Sequence, residues 1–314
     1  MKKLILSSAL CLLCWLGAQA QATLETGRRY YMWKEYARAV PYLQSAAKEG
    51  YGEACYMLGE MYYNGNGVEK NYTIAKRMYE RSTEFGYNKG EAELGRMYEK
   101  GEGVEKNPEK AFELYQKSYA KHDLLGAYLL ARSYYYGIGN PGNNTEAYYM
   151  FMTLYQSRNF NSDYKWAWNW TCWYIGKCYE FGYGVAENLE EAVRFYAKSD
   201  IAESKYHAAK LMKEKHLSIS DINRKYLILN AIRLGLDDAE AYYEYARSEI
   251  ERWKSSINDE TFDLLVKAAE KGYGPAQKLL GDCYKNGWKI SVNYLKAREW
   301  YAKAKANGEE VPEL

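Results

Sequence analysis

The sequence repeats itself at a short period, and that repetition limits the fold more than any other property. The stretch 53–87 is followed at once by a close copy. Leu94-Gly95 follows Leu58-Gly59 after 36 residues, Tyr98 follows Tyr62, and Gly101-Glu102-Gly103-Val104 follows Gly65-Asn66-Gly67-Val68. Self-similarity at such a period is the mark of a solenoid. Each unit is one supersecondary element that buries its apolar face only by stacking on its neighbours. A small residue continues the series at Gly59, Gly95, Ala131, Gly176, Ala209, Ala246 and Gly281, in steps of 36, 36, 45, 33, 37 and 35 residues. It marks a place where two helices approach closely.

With that small residue as position 0, apolar residues fall at −4, −1, 0 and +3, as in Cys55, Leu58, Gly59 and Tyr62. This is one stripe of a 3.6-residue helix. A Gly-x-Gly pair then ends the helix and turns the chain. Asn71, Asn107-Pro108, Asn188 and Asn293 open the second helix; Asn is a good N-cap and Pro a good first-turn residue. The second helix carries Ala and Tyr four apart at Ala75 and Tyr79, Ala111 and Tyr115, Ala192 and Tyr196, and Ala297 and Tyr301. It closes at Gly50, Gly86, Gly235, Gly272 or Gly308. No segment alternates as a strand would.

These residues carry a resemblance. The pattern Ala-x3-Leu-Gly-x2-Tyr, Gly-x-Gly-Val, Lys-Ala-x2-Trp/Tyr-Tyr and Ala-Ala-x2-Gly resembles the Sel1-like repeat, a relative of the tetratricopeptide repeat. It is strong around Gly59, Gly95, Gly176 and Gly281, and weak around Ala209 and Ala246, which lack the Gly-x-Gly turn. The expected fold is all-α, a right-handed superhelical solenoid of about eight helix-turn-helix repeats. The units fall at 22–50, 51–86, 87–122, 123–158, 164–199, 201–235, 237–272 and 273–308, in a single array over 21–314. The resemblance implies an adaptor that binds other proteins.

Residues 1–20 read as a cleaved signal peptide: Lys2 and Lys3, an apolar run from Leu4 to Leu16, and Ala18-Gln19-Ala20 before Gln21. The run is too short to span a bilayer, so the expectation is an exported chain, periplasmic or secreted. Cleavage removes Lys2 and Lys3 from 43 basic residues and nothing from 41 acidic ones, which leaves no net charge. A balanced chain gives no global reason to bind nucleic acid or a membrane. Cys55, Cys172, Cys178 and Cys283 remain, all on first helices. Cys172 and Cys178 are six apart on one helix and so do not share a face; the four read as free packing residues.

No catalytic set stands out. His122, His207 and His216 lie apart from any Cys or acid at metal-ligand spacing and read as surface histidines. Gly65-x-Gly67 and Gly101-x-Gly103 lack the Lys-Ser/Thr of a phosphate loop. The expectation is a non-enzyme without metal or cofactor. What does stand out is aromatic. Positions −6, −3, +1 and +4 lie on another side of the first helix, the side that lines the concave groove in tetratricopeptide arrays. Position −3 reads Tyr56, Ala92, Tyr128, Trp173, Tyr206, Tyr243 and Lys278, and position +1 reads Glu60, Arg96, Arg132, Lys177, Lys210, Arg247 and Asp282. Tyr135 stands at +4 and Trp170 at −6. An aromatic column beside a basic one points to an acidic, extended segment of a partner protein. Helix propensity alone also accounts for Lys and Arg on a solvated face. The 45-residue step inserts residues around 157–164, just before Trp166, Trp168, Trp170 and Trp173. Aromatics at this density suit a binding hot spot or packing under a longer loop. Stacking of Trp and Tyr on a cell-envelope glycan is the alternative function.

Overall fold

The computed structural model describes residue 19 and residues 21–313; the segment 1–20 expected to be a signal peptide, with Cys11 and Cys14, otherwise lies outside the described residues. Helix follows helix, with no strand among the described residues. The helices are α1 (21–32), α2 (Tyr36–Lys48), α3 (Gly52–Asn64), α4 (Tyr72–Glu84), α5 (Lys89–Lys100), α6 (Pro108–Ala120), α7 (Leu124–Tyr136), α8 (Asn144–Gln156) and α9 (Arg158–Asp163). They continue as α10 (Lys165–Phe181), α11 (Leu189–Lys198), α12 (Ala202–Glu214), α13 (Arg224–Arg233), α14 (Ala239–Trp253), α15 (Asp259–Glu270), α16 (Gly274–Asn286) and α17 (Tyr294–Ala306). All but α9 pair as eight hairpins. The chain divides into two compact units, one ending at Tyr164 and the other beginning at Lys165. Each unit holds four hairpins, and α9 closes the first.

The turns form as the sequence requires. Gly67 has φ +68°, and a Cβ there would stand 2.6 Å from the backbone nitrogen of Ala37 on the preceding hairpin. Only glycine meets both conditions cheaply. His122 (φ +60°) and His216 (φ +51°) end helices in the same left-handed conformation without being glycine. The N-cap expectation holds at Asn71, Asn107, Asn188 and Asn293, whose side chains accept from backbone N–H groups three residues on. Asn143, Asn223 and Asn258 do the same for α8, α13 and α15; Asn143 and Asn258 stand 12 residues after Ala131 and Ala246, the same offset as the other four, so their spacing alone could have found them.

The small residue at position 0 has a specific cause. Tyr79, Tyr115, Tyr196 and Tyr301 each stand 20 residues after a repeat glycine and are buried. A methyl group added at Gly59, Gly176 or Gly281 would lie 2.5 Å from Cε1 of the facing tyrosine, and Gly95 is closer still to Tyr115. No ordinary carbon contact is that short. Each tyrosine hydroxyl donates to an acid of its own first helix: Tyr115 to Glu99, Tyr196 to Glu180 and Tyr301 to Asp282, all at 2.6 Å, and Tyr79 to Glu60. The ring therefore lies flat across the first helix, tethered at its far end. At Ala131 the equivalent ring is Phe151, fully buried but with no hydroxyl to tether. Positions −1 and 0 are buried throughout. Position +3, expected in the core, is only half-buried at Tyr62, Tyr98, Tyr134, Tyr179 and Tyr284.

The four described cysteines are free and buried, on α3, α10 and α16. Burial pushes the thiols of Cys172, Cys178 and Cys283 up to about 12, so they are inert as nucleophiles.

Candidate binding faces

In the first unit, positions −3, +1 and +4 of the first helices hold Tyr56, Arg96, Tyr128, Arg132 and Tyr135. Tyr56 is half-buried, with its ring 6.1 Å from that of Tyr79 and 5.4 Å from that of Tyr87. Tyr128 is 2% exposed and packs on Phe151 and Phe160, so the expectation that it is free to meet a partner fails: α9 covers it. Tyr135 packs on Tyr136 and Phe151. Arg96 donates to Glu93 at 2.8 Å, and Arg132 donates to Glu99 at 2.6 Å. Glu93 is 4% exposed. Burial pushes its carboxyl up to about 7 and Glu60 adds to the push, while Arg96 opposes both. Burial also raises Glu60, against its bond from Tyr79. Of the two, Glu93 keeps its proton close to neutrality.

The second unit carries Trp170, Trp173, Lys177, Tyr206, Lys210, Tyr243 and Arg247. Trp173 packs on Tyr196 and on His207, with centroids 5.0 and 5.4 Å apart. The Lys177 ammonium stands 5.0 Å over the Trp173 ring and 4.8 Å over that of Phe181, and 3.2 Å from Glu180. Glu180 also accepts from Tyr196 and lies 3.0 Å from Nε2 of His207. Burial pulls its carboxyl up, but the bonds from His207 and Tyr196 and the charges of His207 and Lys177 outweigh this and hold it at about 2. His207 is therefore no surface histidine: it is half-buried and bonded. Tyr206 is 7% exposed, part of the core rather than of a free face. Trp166 and Trp170, at the start of α10, are 50% and 41% exposed.

The basic column is present but not free. Lys210 pairs with Glu240 at 3.2 Å and Arg247 with Glu251 at 2.6 Å, so all five cations have an acid partner. The basic column is thus paired within the chain. Its acids came from other register positions: −2 for Glu93, +4 for Glu99 and Glu180, and the next first helix for Glu240. Reading one column at a time missed them. Two of the expected residues do flank a hollow. Tyr243 and Arg247 line an open cleft of about 510 Å³ with Tyr273, Lys213, Arg224, Glu244, Glu251 and Glu309. Its walls carry both signs of charge and the tyrosine pair Tyr243–Tyr273, 5.3 Å apart.

Among the described residues no three His, Cys, Asp or Glu side chains are grouped to hold a metal ion, and no helix is long and apolar enough to cross a membrane. Stacked helical hairpins bearing mixed-charge, aromatic faces define a repeat protein of the interaction type. The Sel1 repeat profile matches residues 52–84, 89–123, 124–151, 171–199 and 274–309, just over half of the chain, and the protein belongs to the Sel1 repeat family. Sel1 repeat proteins are typically protein-interaction scaffolds. The chain is 38% identical over 63 residues to the ERAD-associated E3 ubiquitin-protein ligase component HRD3 of Candida glabrata, a stretch that is 20% of this chain and 8% of that protein. A protective antigen of uropathogenic Escherichia coli displaying an SLR fold superposes with a TM-score of 0.61 at 25% identity, over 91% of this chain and 61% of the antigen. A Sel1 repeat protein from Oxalobacter formigenes gives a TM-score of 0.48 at 26% identity, over 92% of this chain and 98% of its own. The chain spans a small part of HRD3 and about three fifths of the antigen.

Proposed function

We propose that the protein is an exported, non-catalytic scaffold that holds an extended segment of a partner protein against its first-helix faces. The observation that carries this reading is the cleft at Tyr243 and Arg247. There an aromatic pair and three cations meet three acids around an open hollow. A partner for this cleft presents both signs of charge and an apolar side chain, not a purely acidic run, because Arg247 and Lys213 already face Glu251 and Glu244. Export rests on the basic, apolar and small-residue segments of 1–20.

The test is recovery of the partner from the envelope fraction of the source cell by the mature chain, compared with Tyr243→Ala combined with Arg247→Ala. The variant is expected to lose the captured protein by tenfold or more, about 1.4 kcal/mol of binding or above, and the capture to weaken with salt. Equal recovery by a folded double variant overturns the cleft as the site. The glycan reading is favoured by one observation, the exposed indoles of Trp166 and Trp170. It predicts retention on envelope polysaccharide that resists salt and is abolished by Trp170→Ala.

A further inference from the structure

We propose that α9 is a tethered internal ligand of the first unit, and that the partner of this face is a segment with two aromatic side chains one helical turn apart. The inference rests on the reading that first-helix faces bind polypeptide. Six residues of helix are too few to persist alone in water, so α9 keeps its form because of what it lies on. Its outward residues, Arg158, Asn159, Asn161, Ser162 and Asp163, are all exposed. Its grip comes from two rings. Phe160 is fully buried against Tyr128 of α7, with centroids 6.2 Å apart. Tyr164, four residues on, stands 5.9 Å from Phe160 and beneath the Lys89 ammonium of α5, 5.5 Å from its centroid. Tyr128 and Lys89 occupy positions −3 and −6 of adjacent repeats. The segment therefore runs back along the stack, across the face on which a peptide would lie. It anchors as a peptide would in a helix-in-groove complex, through side chains spaced i and i+4.

The fit is incomplete, which is what a displaceable occupant needs. The Tyr164 hydroxyl is buried and meets no hydrogen-bond partner among the described residues. Glu93, Tyr87 and Asp123 lie within electrostatic reach of it. A competing segment that satisfies a group at this position gains over α9. The segment also stands outside the hairpin series, since it belongs to the one 45-residue step. Its release leaves every hairpin with its partner.

The probe is a fluorescent peptide of residues 157–164, titrated into the mature chain and into Phe160→Ala combined with Tyr164→Ala. The vacated face is expected to bind it saturably, at least about tenfold more tightly than the unchanged chain, where the tethered copy competes at an effective concentration in the millimolar range. A peptide with both aromatics replaced by alanine should not bind. A double variant that keeps its thermal transition yet binds the peptide no better than the unchanged chain overturns the proposal. Hydrogen exchange on the unchanged chain gives a second decision. Amides of 158–164 should exchange at least about a hundredfold faster than those of α5 and α7, because a displaceable segment opens without global unfolding. Exchange as slow as that of α7 would make α9 a core element and end the idea, even if the double variant fails to fold. Neither result bears on the Tyr243–Arg247 cleft, which lies in the other unit.

Discussion

The hairpins α3–α4 and α5–α6 differ from α12–α13 and α14–α15 in one matched set of residues. The first two have glycine at position 0, a tyrosine 20 residues later and an acid that accepts the tyrosine hydroxyl. The other two have Ala209 and Ala246 at position 0, and their second helices offer buried Leu227, Ile228, Leu264 and Leu265 instead of a tethered ring. A branched aliphatic side chain leaves room for one methyl group where a flat ring held at both ends does not. The glycine is thus a consequence of the tyrosine, and the two stand or fall together. The alanine hairpins also carry more ion pairs. Glu244 takes both Lys213 and Arg224, Lys210 reaches Glu240, and Lys225 reaches Glu249.

The largest test of this contrast is steric. Gly95→Leu should destabilise the protein by about 3 kcal/mol, at the upper end of the usual cost of overpacking. Gly95→Ala should cost about 1–3 kcal/mol, and adding Tyr115→Leu should return part of that loss, because the clash partner is gone. Ala209→Gly should cost about 1 kcal/mol, the ordinary helix penalty. Denaturant midpoints of the four variants decide the matter: a Gly95→Ala cost that Tyr115→Leu does not relieve would break the link between glycine and ring.

The next test is electrostatic, with opposite signs in the two units. Glu180 is held at about 2, below the ordinary value of 4.5, so its contribution is present above about 4.5 and is lost as pH falls through about 2. Glu93 is pushed up to about 7, so its contribution is complete below about 4.5 and is lost as pH rises through 7. Glu180→Gln should flatten the acid side of the stability profile and Glu93→Gln the neutral side, each by up to about 3 kcal/mol across its window. Identical profiles for both variants would refute the assignment.

The smallest effect belongs to the alanine hairpins. Lys213→Ala should cost no more than about 1 kcal/mol, as surface pairs do, and most of that should vanish in molar salt. A loss that salt leaves unchanged would mean that Lys213 matters through packing.

Much of the fold was legible before the structure. The 36-residue period, the turn glycines and four of the asparagine caps define hairpins, and hairpins are what the chain forms. The faces were less legible, for a physical reason. A helix column taken alone shows which residues share a side but not what faces them, and every cation of the +1 column is answered by an acid from another register position. Tyr128 and Tyr206 sit at the right angle for a binding face but lie too deep, under α9 in one case and within the aliphatic core in the other. His207 looked isolated because its partner, Glu180, is 27 residues away in the preceding hairpin.

The constant separation of 20 residues has a consequence for how such a chain can change. From glycine to tyrosine the interval is 20 at Gly59, Gly95, Gly176 and Gly281, whereas successive units are 33 to 45 residues apart. One interval is inelastic and the other stretches. A residue added inside a hairpin takes the ring off its glycine and the hydroxyl off its acid together, while a residue added between hairpins disturbs neither. Growth, loss and grafting of new segments are therefore confined to the joints, and it is at the longest joint that this chain has placed its additional helix.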